Sequence, residues 1–119
     1  MEIKSIDEAL TIICSQSPIH HFSSNNAQPK KANKAYNKIV AAMAYLKKND
    51  SLLELKKLLN NKDYSIVSWA ATYLIGTDTK LAINILEEIR DLKIQHISMD
   101  AKYTILEWES GDLELYFGE

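Results

Sequence analysis

The chain has 119 residues, one domain's worth of polypeptide, and is read as a single domain over 1–119. Apolar residues make up 46% and charged residues 25%, which excludes a chain too polar to build a core. Net charge is −2, so the whole molecule is not a basic nucleic-acid binder, and only 3 Gly and 2 Pro argue against a many-stranded β-sandwich.

The first element opens at Ser5-Ile6-Asp7-Glu8, a capping box, and carries Ile6, Ala9, Leu10 and Ile13 at helical spacing. It is expected to end near Ser17-Pro18. Polar residues 23–28 read as a loop. Pro29 suits the first turn of a second helix running to about Lys48. Ser51-Leu52-Leu53-Glu54 is a second capping box, opening a helix through Leu59. A fourth helix covers Tyr64 to Ile75, with Gly76 placed for a left-handed cap. A fifth starts at Thr77-Asp78 and runs to about Leu92. A sixth begins between Gln95 and Ser98 and ends at Ser110-Gly111, and 112–119 is a tail. The expected fold is all-α, a short HEAT-like α-α superhelix of about six helices.

An internal repeat supports that architecture. A shift of 31 residues carries Leu52, Leu55 and Leu58 onto Ile83, Leu86 and Ile89. The same shift carries Ala70, Leu74 and Ile75 onto Ala101, Ile105 and Leu106. The repeat hairpins are therefore expected over about 51–75 and 78–110. Two-helix units of this length are the currency of α-solenoids.

The motifs between Pro29 and Leu113 carry a resemblance. They are Lys30-Lys31-Ala32-Asn33-Lys34, Trp69-Ala70-Ala71, Glu87-Glu88-Ile89, and Leu106-Glu107-Trp108-Glu109-Ser110-Gly111-Asp112-Leu113. The stretch resembles a bacterial domain-of-unknown-function family of short HEAT-like proteins, themselves similar to immunity proteins of polymorphic and contact-dependent toxin systems. Val67 departs from the family pattern, which tends to carry Arg there. The resemblance implies an immunity protein that binds and neutralises a cognate toxin domain by protein–protein contact. Fold and family alone do not fix function.

The residues themselves offer little chemistry. There is no phosphate-binding Gly loop, nucleophile elbow or His-Glu-x-x-His. The chain has one cysteine, Cys14, so no intrachain disulfide forms. Cys14, His20 and His21 lack a visible oriented base, oxyanion donor or second ligand cluster, so they are read as a buried thiol and two loop histidines. His96 is read as a lone surface or packing residue. No enzyme activity, metal or cofactor is expected.

Charge divides the chain more sharply than its total suggests. Residues 1–60 carry net +4 and residues 61–119 net −6. From Glu107 onward there is no basic residue, and Glu107, Glu109, Asp112 and Glu114 are interleaved with Tyr116 and Phe117. That segment is the expected partner-binding surface, suited to a basic toxin. The alternative is a Lys-rich face, Lys30, Lys34 and Lys38, which would track nucleic-acid phosphates. The single Arg in the chain weighs against base recognition. A general protein-interaction scaffold is the third reading. The first eight residues lack a signal-peptide pattern, and the longest apolar run, Ile39 to Leu46, falls short of the ~20 residues of a membrane span. A cytoplasmic protein with no membrane partner is expected.

Overall fold

The computed structural model describes residues 2–118; Met1 and Glu119, the two ends of the expected domain, lie outside the described residues. Six helical elements follow one another: α1 (Ile6–Asn25), α2 (Pro29–Lys48), a 3-10 helix (Leu52–Leu58), α3 (Tyr64–Leu74), α4 (Thr79–Asp91) and α5 (Ile97–Ser110). There is no strand among the described residues. The all-α fold of about six helices is therefore the one expected. No helix among them is long and apolar enough to cross a membrane.

Ser5 caps α1 by accepting the Glu8 N–H at 3.1 Å, while Glu8 reaches back to the Lys4 N–H at 3.1 Å. The capping box thus forms, with its return arm displaced by one residue. Contrary to expectation, α1 does not stop at Pro18. Proline removes its own N–H and crowds the carbonyl four residues back, which ends helices that nothing else supports. Here α1 packs along the equally long α2, and that contact holds the chain helical to Asn25. The expected loop at 23–28 shrinks to Asn26, Ala27 and Gln28.

Two other local expectations fail for identifiable reasons. Ser51 makes no cap: its hydroxyl donates to the Asn49 carbonyl at 2.9 Å, and Glu54 pairs with Lys57 instead of closing a box. The element that follows is a tight seven-residue 3-10 helix. Gly76 is not left-handed, because α3 ends through Ile75 in the right-handed region. Gly111 does take the left-handed cap, with φ 82°.

The helices pair as three hairpins: α1 with α2, the 3-10 helix with α3, and α4 with α5. Helix α3 also touches α1 and α5, so α1, α3 and α5 form one layer centred on α3. Residues 31 apart are buried alike: Leu55 with Leu86, Leu58 with Ile89, Ala70 with Ala101 and Leu74 with Ile105. The last pair diverges, since Ile75 is buried and Leu106 is exposed. Ala70 and Ala101 are both buried in the core. Val67 is buried among apolar neighbours. Between α4 and α5, buried Ser98 accepts the Ile94 N–H at 2.7 Å and donates to the Ile89 carbonyl at 2.6 Å. One hydroxyl thereby satisfies two backbone groups that the turn would orphan.

The tail does more than cap the last hairpin. From Leu113 to Gly118 half-buried and exposed residues alternate, the signature of extended chain. Leu113, Leu115 and Phe117 turn inward and Glu114 and Tyr116 outward. Leu115 lies beside Gly76, and Gly118 reaches Val40 in α2. The Phe117 ring meets the Tyr73 ring edge-to-face at 5.3 Å, with the Lys47 ammonium 4.3 Å from its centroid. The Tyr73 hydroxyl donates to the Tyr116 carbonyl. The tail therefore crosses α3 and straps the last hairpin to the first.

Ala101→Leu adds three heavy atoms at a buried position. It is expected to cost about 1–3 kcal/mol in denaturant unfolding, and a neutral result would show room around Ala101.

Burial, reinforced by the neighbouring Tyr36 hydroxyl, pushes the Tyr73 phenol up to about 12. The native state thus holds this proton where the unfolded chain, with a phenol near 10, releases it. The stability Tyr73 contributes is complete below about pH 10 and is lost as pH rises toward about 12. Tyr73→Phe should flatten that part of the stability-against-pH curve, measured by urea unfolding between pH 9 and 11.

Candidate functional site: a histidine-lined cleft

One face of each helix in the central layer is polar where the rest of the helix is core. On α1 the face is His20, His21, Ser24 and Asn25. On α3 it is Ser65, Ser68, Trp69 and Thr72, spaced i, i+3, i+4 and i+7. On α5 and its N-cap it is His96, Ile97, Asp100 and Thr104. The three faces enclose a cleft of about 210 Å³. All 3 histidines of the chain line it.

This corrects two expectations. His20 and His21 belong to a helix, not a loop, and His96 is not alone. Because α1 continues past Pro18, it carries both imidazoles over α3 and toward α5. Cys14 is not part of the group: it lies six residues before His20, a rise of roughly 9 Å along a helix axis. Burial raises its thiol above the ordinary value, which keeps it protonated and a poor nucleophile.

The cleft's electrostatics are those of one carboxylate, Asp100, facing three imidazoles. Burial raises the Asp100 carboxyl above its usual range, and His96, His21 and His20 each pull it back down. Asp100 also keeps substantial solvent exposure at the cleft mouth. Burial lowers the His20 imidazole; Asp100 opposes that and His21 adds to it. His20 is therefore neutral at physiological pH. Its ring meets Trp69 edge-on at 5.5 Å and lies 6.0 Å from Tyr36. The aromatic contacts continue from Trp69 to Tyr73 at 6.0 Å and on to Phe117, so the cleft floor and the tail strap share one cluster. No group of three or more His, Cys, Asp or Glu among the described residues is placed to hold a metal ion.

His96 occupies an unusual backbone position, φ 66° and ψ −45°. The Ile97 N–H bonds the Gln95 carbonyl at 2.8 Å across it. This is the γ-turn of positive φ, a rare and strained conformation for a residue with a β-carbon. The turn launches α5 and delivers the imidazole to the cleft.

The sequence-selected surface residues are dispersed. Glu107, Glu109, Asp112 and Glu114 are exposed at the end of α5 and the start of the tail. Beside them, Tyr116 stays 45% exposed and Phe117 is half-buried. Phe117 packs under Lys47, and Tyr116 stacks on Tyr36 at 6.2 Å. Lys30, Lys34 and Lys38 line the first half of α2, Lys30 and Lys34 exposed and Lys38 half-buried. Trp69 lines the cleft, while Trp108 lines a shallow groove together with Thr79, Lys80, Ile83 and Asn84 of α4.

Sequence reasoning missed two groups. Asp100 joins the cleft through the spacing 96, 100 and 104, visible only once α5 is known to present that side. Met99, Tyr103 and Leu106 form an apolar stripe on the outer side of α5, exposed by 60%, 53% and 47%. Their i, i+4, i+7 spacing was a signal in principle. The stronger buried set Ile97, Ala101 and Ile105 runs alongside and masks it. No family model, no curated protein and no solved structure matches this chain.

His96→Gly should relieve the backbone strain. It is expected to raise stability by about 1 kcal/mol in urea unfolding, after glycine's larger unfolded-state entropy is subtracted. A loss of stability would mean that the imidazole's contacts in the cleft outweigh the strain.

Proposed function

We propose that this chain is a binding protein rather than an enzyme, and that its partner is a protein with a basic surface. The carrying observation is the Met99–Tyr103–Leu106 stripe on α5. Three large apolar side chains stand in solvent along one line of a well-formed helix. Exposed apolar side chains grouped in a patch, rather than scattered, point to a docking surface. Carboxylates outnumber cations around this one: Asp100 lies beside it and Glu107, Glu109 and Asp112 at its end, with Lys102 on the same side of α5. Aromatic and Met side chains supply contact area, and the rim charges steer a basic partner and exclude an acidic one.

The toxin-neutralising role implied by the family resemblance fits this surface. A toxin that attacks nucleic acid presents positive charge where phosphates bind, and an acidic, apolar helix face is its complement. The apolar anchors of this reading are Tyr103, Met99 and Leu106. Tyr116 and Phe117 serve it indirectly, by strapping the hairpins so that α5 is held rigid.

The test asks first whether the neighbouring gene encodes a toxin domain, whose absence counts against the proposal, and then uses that domain. Wild-type chain should protect cells from it and form a stoichiometric complex. Tyr103→Ala should raise the dissociation rate and cost about 2 kcal/mol or more of affinity. Reversing Glu107, Glu109 and Asp112 to Lys should mainly slow association, and more at low salt. A folded chain that gives neither complex nor protection overturns the proposal. So does a complex lost only when Lys30, Lys34 and Lys38 are neutralised.

A further inference from the structure

The 31-residue repeat identifies what kind of surface the α5 stripe is. The shift carries Ser68, Thr72 and Ile75 of α3 onto Met99, Tyr103 and Leu106 of α5. On α3 these positions belong to the side that meets the next helix of the layer: Ser68 and Thr72 border the cleft shared with α5, and Ile75 is buried. The same positions on α5 are therefore where a further helix of the layer would lie. The described residues place none there. After Gly111 the chain turns back as the strap toward α2, and Met99, Tyr103 and Leu106 stand in solvent. Where α3 carries Ser68 and Thr72, α5 carries Met99 and Tyr103, whose larger apolar area gains more from being covered.

The opposite end of the layer is its complement. Successive helical residues turn by about 100°. On α1 this sets Ile19 and Phe22 on the side turned away from His20, His21 and Ser24, which line the cleft. Both Ile19 and Phe22 are exposed. The short turn at 26–28 sends α2 back along α1, so the exposed Lys30, Lys31 and Lys34 lie level with them. At the α5 end, Glu107, Glu109 and Asp112 outweigh Lys102. Each end thus combines exposed apolar side chains with charge, and the two charges are opposite: residues 1–60 carry net +4 and residues 61–119 net −6. We propose that copies of this chain stack head to tail, with the α5 end of one seated on the α1–α2 hairpin of the next, so that the superhelix continues from molecule to molecule.

Such a contact joins two different patches, so each pair keeps one free end of each kind and growth does not stop at two. A pairing of α5 with α5 would instead set acidic surface against acidic surface, which like charges disfavour. Stacking grows with concentration and weakens with salt, which screens the attraction between the ends. It goes beyond the partner-binding reading and shares the stripe with it without resting on it. A basic toxin and the basic end of a neighbouring copy compete for one surface, so a chain bound to its partner is withdrawn from the stack.

The experiment uses the full chain alone. Sedimentation equilibrium is run at low salt from about 10 μM to about 1 mM, around an expected Kd on the order of 100 μM for a contact of modest area. The average mass should rise past twice the 13.5 kDa chain. Salt at about 0.5 M should weaken association several-fold. Phe22→Glu blocks the α1 end and Tyr103→Glu the α5 end; both side chains are exposed, and thermal melts check that each variant is folded. Either variant alone should associate at least about tenfold more weakly. Mixed together they should pair once, the intact α5 end of the Phe22→Glu chain on the intact α1 end of the Tyr103→Glu chain, and stop at two. A wild-type chain that stays monomeric at about 1 mM overturns the proposal. So does association that survives Phe22→Glu, or that Tyr103→Glu abolishes without rescue on mixing; the latter marks a two-fold contact between α5 helices. Association that salt leaves unchanged overturns it as well. Phe22 lies off the α5 surface, so Phe22→Glu leaves partner binding in place, and the two proposals fail separately.

Discussion

Four of the other five helical elements are packed against α3. It is only eleven residues long, yet it touches α1, the 3-10 helix, α4 and α5, and receives the tail through Tyr73. A short helix can meet so many neighbours only if its side chains let them come close. Ala70 and Ala71, both fully buried, supply that on the core side. Val67 and Leu74 fill the remaining volume. The polar stripe of Ser65, Ser68, Trp69 and Thr72 keeps α1 and α5 from closing over the fourth side. Core and cleft are thus two faces of one helix.

The tail belongs to the same arrangement. A stack of hairpins is held by contacts between neighbours, so its ends are its weakest points. Here Leu113 to Phe117 runs from the last hairpin across α3 to α2, joining units that the helices themselves do not join. The buried Tyr73 phenol sits at the crossing, edge-on to Phe117 and bonded to the Tyr116 carbonyl. On its other side it stacks on Trp69. Order in the strap and order in the cleft floor are therefore coupled through rings in contact. The acidic outward residues of the tail remain free to set the field around α5.

The cleft is built at some energetic cost. A γ-turn of positive φ holds His96, and burial lowers the pKa of the His20 imidazole. Neither feature strengthens the fold, and each would be removed by a small substitution. Features that cost stability gather at sites where structure serves something other than itself. Here they gather at the start of the helix whose outer side carries the exposed Met99, Tyr103 and Leu106.

The sequence by itself determined the helices, because their signals are local. Apolar spacing marked α2, α3, α4 and α5 to within a few residues, Pro29 and Asp78 set helix starts, and Gly111 set a helix end. It also contained the 31-residue echo that the burial of Leu55 and Leu86, or Ala70 and Ala101, follows. It misjudged α1 and the segment at Ser51, where tertiary contact or a competing hydroxyl bond overrides the local signal. Helix α1 survives Pro18 only because α2 lies along it, and that extension carries His20 and His21 to a place no local rule could give them. The cleft depends on residues more than seventy positions apart, so its existence was decided by how α1, α3 and α5 are packed. The same holds for the tail. Its alternation of Leu113, Leu115 and Phe117 was legible, but only the groove across α3 to α2 made those residues a strap and withdrew Phe117 from solvent.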